Sequence, residues 1–467
     1  MTATKNVSMP NIVILGSSTG WTPTLAWDLM LTFDEPIEFR LVDIDPKPAR
    51  LCAEWGKLAA KHLGRGDRFI PCPDRRKALK GADAVIITLS TGGLDAMEKD
   101  IKIPEKYGIF ATVGDTAGPS GWARSIRNIP VFREFADDFE KLCPTAFIAN
   151  YTNPMSSLTA TLQQCCGNPV SGFCHSYFEI KDVIQKIFEL KDWSPISISI
   201  AGMNHFTWVT DFKIGREDGY ALLRKRIGKG SLQDLIPDES ADAIGYFSGH
   251  ELFVHLYEAT GYMSYPANRH ICEFVSFAIT GNPPRRKVRH NIDGNIYDTF
   301  DYCNIRRTPV SSRRIGMKKR TLGFSKFIKD KGPFSGPRVK SRETGAEMIR
   351  AYLQNKPFTD AVNVLNIGQI PGLPLGACVE TMGMVDGLGV RPVSVGEVPE
   401  HLIEFMRPQA VCQKWITQGM LEGDKDLLMQ ALFRDPQCAH LKPRQIRKMG
   451  EELLAANKKF LGGCRIS

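Results

Sequence analysis

NIVILGSSTGWTP, residues 11–23, runs from an apolar stretch straight into a turn and then to a proline. The apolar run NIVILG (11–16) predicts a buried strand, and Gly16-Ser17-Ser18-Thr19-Gly20 predicts a tight turn. Pro23, followed by Leu25, Leu29 and Phe33 at four-residue spacing, predicts a helix. A strand feeding a glycine-bearing turn and a helix is a device for holding a pyrophosphate. The turn brings backbone N–H groups close to the phosphates, and the helix start adds a partial positive charge. Ser18 stands where the G-x-G-x-x-G pattern has its second glycine, so an ordinary strand–turn–helix crossover remains an equal alternative. Asp43 ends the next strand, 23 residues after Gly20. An acid there accepts hydrogen bonds from the ribose hydroxyls and disfavours a 2′-phosphate, which favours NAD over NADP.

Outward from this unit, IEFRLVDID (37–45), ADAVIITLS (82–90), TAFIANYTNP (145–154) and SISIAGMNH (197–205) read as further strands separated by helix-like segments. The order predicts an α/β chain: an N-terminal Rossmann-like, doubly wound parallel sheet, followed by a C-terminal α+β, helix-rich domain. The boundary is placed near 200, giving 1–200 as the cofactor domain and 201–467 as the substrate, metal and oligomerisation domain. In the second part, 242–260 and 398–433 read as helical and VNVLNIGQI (362–370) as a strand.

The chain has 467 residues, 43% hydrophobic and 24% charged, which excludes a disordered, fibrous or membrane-embedded protein. Twelve scattered cysteines form no disulfide framework, the N-terminal apolar run is too short for a signal peptide, and no stretch is long enough to span a bilayer. The expectation is a soluble, cytoplasmic protein with no membrane partner. The net charge of +9 would suit nucleic acid, but the excess is local. Arg285–Lys340 holds sixteen Lys or Arg against four Asp, so the rest of the chain is slightly acidic. No nucleic-acid motif accompanies the excess, and no such partner is expected. Rich in Gly, Pro and Ser with little periodicity, the stretch reads as an extended basic insert. Two roles are open to it: a solvated surface, or an overhang that draws anionic substrates to a crevice.

SGFCHS (171–176) and AGMNHF (201–206) lie near predicted strand ends, where open α/β sheets place their ligands. The thiol of Cys174 and the imidazole of His205 are a chemically suitable pair for a divalent metal, with His175 beside them. A buried cysteine and two satisfied histidines would read the same.

Taken in order, GSSTGWTP (16–23), VDID (42–45), GGLDAMEKD (92–100), VGDTAGPSG (113–121), NYTNPMS (150–156), GFCHS (172–176), AGMNHFTW (201–208) and NRHICEF (268–274) resemble glycoside hydrolase family 4, the NAD- and manganese-dependent glycosidases. VGDT, NYTNPMS, NHFTW and RHxxEF look most like the α-galacturonidase branch. The resemblance implies hydrolysis by a redox route. A hydride leaves C3 of the sugar for NAD⁺, a base takes the acidified C2 proton, the C1–O bond breaks by elimination, water adds, and the hydride returns. It implies Gly16, Ser17, Ser18, Thr19, Asp43 and Asn150 at the cofactor, and Cys174 and His205 on Mn²⁺ or another divalent ion. His175 would be the acid assisting the leaving oxygen. Asn153, Asn204 and His270 would hold substrate, and Asp115 would line the crevice as a catalytic residue.

Asn268 takes the place of the aspartate that serves as base in that branch, and an amide cannot accept the proton. Tyr265, three residues earlier, is one candidate to replace it, with His270 or a metal-bound hydroxide as further options. Met97 stands where the phosphoglycosidases of the family carry an arginine, which disfavours a 6-phosphosugar. A uronate needs a cation: Arg124, Arg127 and Arg269 are candidates, each equally readable as part of a structural ion pair. The expected enzyme is an NAD- and metal-dependent glycosidase of a small non-phosphorylated sugar, an α-galacturonide, forming a homodimer or homotetramer. The alternatives are an NAD-dependent sugar oxidoreductase, or an impaired homologue that binds NAD and sugar without turnover.

Overall fold

The computed structural model describes residues 9–236, 250–281, 286–289, 296–330, 334, 336, 339–462 and 466. NIVIL becomes β1 (Asn11–Leu15), buried along its whole length. It lies in a parallel set with β2 (Glu38–Val42), β3 (Arg68–Pro71), β4 (Ala84–Ile87), β5 (Phe147–Asn150) and β6 (Val170–Gly172), in the spatial order β3-β2-β1-β4-β5-β6. Alternate side chains of β1 enter different cores. Val13 and Leu15 pack with Trp122, Ile126 and Phe132 of the helix Gly118–Leu142, whereas Ile12 and Ile14 pack with Leu25 and Trp27 of the helix Thr22–Thr32. A strand covered on both faces has no polar side, which is why its sequence reads as an unbroken apolar run.

Beyond β6 the sheet changes sense. SISIAGMNH does form a strand, β7 (Ile196–Met203), but it turns through Asn204 and His205 into β8 (Phe206–Ile214) as an antiparallel hairpin. β9 (Phe358–Leu365) and β10 (Cys378–Asp386) insert between β6 and β7, all antiparallel, so the two halves of the chain share one sheet. The insertion brings the hairpin turn to the same sheet as β5 and β6. The helical reading of 398–433 resolves into Glu400–Glu422 and Lys425–Arg434. Of 242–260, Glu251–Thr260 is helical, and 242–249 lie outside the described residues.

The basic stretch corrects its sequence reading. Where it is described it is not extended throughout: Val310–Lys329 is a helix of 20 residues. It buries Val310 and Ser312 and packs Phe324, Phe327 and Ile328 of its last turns against the core that holds Trp27 and Trp55, so its apolar contacts sit at the ends and no stripe runs along its length to announce it. The helix lies against the helices Pro46–His62 and Gly93–Glu105. Arg314 bonds Asp95 at 2.6 Å and Glu98 at 3.0 Å. Arg307, just before the helix, pairs with Glu105.

Candidate active site

The turn after β1 is shaped as a cradle. Gly16 has φ +88°, and a Cβ there would stand 2.8 Å from both Thr88 O and Leu89 Cβ, so only glycine fits. The amides of Gly16 and Ser17 donate to Val42 O at 2.9 and 3.0 Å and pin the turn to β2. Ser17 Oγ donates to Ile14 O, and Ser18 Oγ accepts from the amide of Trp21. The helix Thr22–Thr32 that follows has neither a side-chain cap nor an acid in its first turn, which leaves its positive end open to an anion. Asp43, half-buried beyond β2, accepts from Asp45 N, and burial raises its carboxyl above the usual range. The basic helix reaches the same turn: Thr321 Oγ1 lies 3.5 Å from Thr19 Oγ1, and Arg320 Nη1 is 2.8 Å from where a Cβ of Gly20 would stand.

Asp115, His205 and His270 come from three separate segments, and their ligand atoms lie within 4.8 Å of one another. His205 sits in the β7–β8 turn with φ +78°, a backbone state that costs a non-glycine residue about 1 kcal/mol. Thr116 Oγ1 donates to Asp115 Oδ1 and bonds His205 Nδ1, both at 2.9 Å. With its proton directed to Asp115, the hydroxyl accepts from Nδ1–H. That fixes the tautomer whose Nε2 lone pair is free for a cation. Burial lowers His205 to about 4, which keeps the ring neutral, and burial with its cationic neighbours pushes His270 well down. Cys174 stands outside this trio, beside Asn204 and near Glu380; burial pushes its thiol well up.

The other expected residues divide into two kinds. Asn153 Oδ1, both side-chain polar atoms of Asn204, Arg269 Nε and His270 Nδ1 are buried without a hydrogen-bond partner. Buried polar atoms are nearly always satisfied, so this set fits a polar ligand. Asn150, by contrast, uses its amide within its own loop, donating to Thr152 O and Thr159 Oγ1 and accepting from Thr152 N. It shapes the crevice wall. Asn268 accepts from Phe253 N. Tyr265 stacks on His205 with ring centroids 5.9 Å apart, and its hydroxyl bonds Glu179. His175 Nε2 lies 3.1 Å from Glu343 Oε1; burial lowers the imidazole to about 4 and raises the acid to about 8. Both shifts favour a neutral imidazole, with one ring N–H, beside a protonated acid.

Two acids that sequence reading missed hold these pieces together. Glu380 on β10 accepts from Ser176 Oγ and Thr207 Oγ1, each at 2.6 Å, tying the Cys174–His175 segment to the β7–β8 hairpin. Glu273 Oε1 accepts from Thr112 Oγ1 and the amides of Val113 and Gly114, which fixes the loop bearing Asp115. Nothing in the ACVETMG segment marks Glu380, since an acid in a strand ordinarily faces solvent.

The arginine candidates also separate. Arg127 is fully buried in a two-pronged ion pair with Asp100, at 2.9 and 2.7 Å, and bonds Asn457; it is a structural residue, not a ligand for substrate. Arg124 donates to Asn153 O at 2.9 Å, and Arg269 to Thr308 Oγ1 at 2.9 Å. A further cation was not singled out in the sequence: Arg313 of the basic helix enters the crevice, with Nη2 3.0 Å from Val113 O and Nη1 3.8 Å from Met97 Sδ.

Among the described residues no helix is long and apolar enough to cross a membrane. The model for "Family 4 glycosyl hydrolase" matches residues 11–190, and that for its C-terminal domain matches 200–438. An α-galacturonidase of Thermoanaerobacterium saccharolyticum is 30% identical over 97% of this chain and 96% of its own length. An α-galactosidase of Bacillus subtilis is also 30% identical, over 97% and 99%. A 6-phospho-α-glucosidase from gut microorganisms, solved with NAD and Mn²⁺, shares the fold at TM-score 0.76 and 20% identity, covering 97% of this chain and 99% of that one. The match to both family models across residues 11–438, joined to the glycine cradle and the Asp115–His205–His270 crevice, places this chain in glycosyl hydrolase family 4.

Proposed function

We propose that this chain is an NAD- and divalent-metal-dependent glycosidase acting on an α-galacturonide. The observation that carries the reading is the convergence of the Asp115, His205 and His270 trio with the unsatisfied atoms of Asn153, Asn204 and Arg269. Both absent groups fit the residues present. The Gly16–Gly20 turn, the uncapped helix start and Asp43 suit a dinucleotide. The neutral His205, with Asp115, His270 and Cys174 near it, offers the mixed nitrogen, oxygen and sulfur donors that suit Mn²⁺ or a related ion. When bound, NAD supplies a hydride acceptor and donor for sugar C3, and the ion polarises the C2 and C3 oxygens.

The chain's own groups do the rest. Asn153 and Asn204 have free amide atoms to hold sugar hydroxyls. Tyr265, stacked on His205, takes the C2 proton in this reading by passing its own hydroxyl proton to the Glu179 carboxylate bonded to it. His175 faces the leaving oxygen, and the protonated Glu343 beside it supplies the proton that the neutral imidazole lacks. A cytoplasmic homodimer or homotetramer belongs to the same proposal, and sedimentation checks the assembly.

The test is incubation with p-nitrophenyl α-D-galacturonide in D₂O, with catalytic NAD⁺ and Mn²⁺. Release of galacturonate carrying deuterium at C2, without net NADH, is expected. NADH accumulating in proportion to substrate would point to an oxidoreductase instead.

A further inference from the structure

Arg124, Arg269 and Arg313 differ from Arg127 in one respect. Arg127 has Asp100 as its own carboxylate partner. Among the described residues no carboxylate lies within ion-pair distance of Arg124, Arg269 or Arg313. Against the opposing effect of burial, Arg124, His205 and Arg313 hold the carboxyl of Asp115 below its usual range, but its short contact is to Thr116. Glu273 is raised to about 7 and receives its hydrogen bonds from the 112–114 loop. Three half-buried guanidiniums stand against the single ionised carboxylate of Asp115, and that excess of positive charge in a partly desolvated crevice suits an anion that arrives.

Two of the three are fixed side by side. Thr308 receives Arg269 Nη2 at its hydroxyl, 2.9 Å, and Arg313 Nε at its carbonyl, 3.4 Å. Arg269 Nε has no partner at all. Arg313 also lies against Met97, the position at which the sequence shows no cation, so the charge missing there is delivered from a segment more than 200 residues away. The cofactor's phosphates are not the anion in question. Arg320, the residue of this helix that reaches the glycine turn, stands seven residues further on, about 10 Å along the axis.

We propose that Arg313, with Arg269 beside it, receives the carboxylate of an acidic sugar and sets the preference of the site for uronides over neutral glycosides. The proposal rests on the glycosidase reading for the position of the sugar. It deepens that reading by naming the residue of this chain that would read the acidic group of the sugar. Two adjacent guanidiniums offer paired N–H donors to a planar carboxylate.

Calorimetric titration in the presence of NAD⁺ and Mn²⁺ tests it, with D-galacturonate, D-galactose and D-galactose 6-phosphate as probes. The native chain is expected to bind galacturonate at least tenfold more tightly than galactose, and more tightly than the 6-phosphate. Arg313→Gln should reduce the preference over galactose to less than threefold, whereas Lys318→Gln, an exposed cation of the same helix, should leave it intact. Should Arg313→Gln fail to fold, Arg313→Lys carries the test, losing at least threefold of the preference while keeping the charge. No preference in the native chain, its retention in the Arg313 variants, or tighter binding of the 6-phosphate would overturn the proposal. Sugar release is scored apart: charge-dependent binding without cleavage would sink the glycosidase reading alone, and equal kcat/KM on galacturonide and galactoside would sink this proposal alone.

Discussion

The turn at residues 16–20 and the helix Val310–Lys329 meet at one crevice, yet they are held in place by different physics. The turn is held by close packing: β1 is buried on both faces, Gly16 adopts a left-handed backbone against Thr88 and Leu89 that only glycine tolerates, and Val42 O takes two of its amides. The helix is remote in sequence and polar along most of its length, and it is located by ion pairs and single hydrogen bonds such as Arg314 with Asp95 and Thr321 with Thr19, together with the packing of Phe324, Phe327 and Ile328 at one end. Close steric packing therefore shapes the glycine turn, whereas polar contacts and a few apolar side chains position the basic helix. A polar contact is strong only where water is excluded.

The contrast breaks most visibly at Gly16. Gly16→Ala adds a Cβ against Thr88 O and Leu89 in a left-handed backbone, and should cost about 2–4 kcal/mol in thermal unfolding and abolish saturable NAD⁺ binding. Full stability with tight NAD⁺ binding in that variant would show that the cradle is not sterically determined. Glu380 probes a long-range polar contact in the dry interior. Glu380→Ala strands the hydroxyls of Ser176 and Thr207 and should cost about 2–3 kcal/mol, with sugar release falling further than stability accounts for. Glu380→Gln, which keeps one acceptor, should recover part of both. The smallest effect is expected at the exposed end of the series. Arg314→Gln removes two solvent-screened ion pairs and should leave the Tm within about 1 °C. A large drop there would mean that surface pairs, not Arg313 and the contacts around it, hold the helix.

Much of the parallel sheet was legible because its signals are short in sequence. Apolar runs of the right length became β1, β2, β4 and β5, while β6, a strand of three residues, and β3, with Phe69 as its buried residue, carry too little pattern to be seen. SISIAGMNH was recognisable as a strand but not as half of a hairpin, since strand direction is a property of partners. At the site, His205 and Asp115 stood out by residue type and motif. Thr116, whose hydroxyl joins the two across 89 residues of chain, did not, because a threonine becomes informative only when its neighbours are known. The helix Val310–Lys329 escaped for the complementary reason that it lacks an apolar stripe.

The sequence by itself determined the glycine turn, the apolar strands and the order of motifs, since backbone sterics and burial periodicity act over a few residues. Which arginines have a counter-ion was decided only in three dimensions. Arg127 found Asp100 and became structural, while Arg269 and Arg313 met at Thr308 with no acid between them. Charge in a sequence gives the number of cations; only packing decides which are neutralised from within and which are left for a ligand.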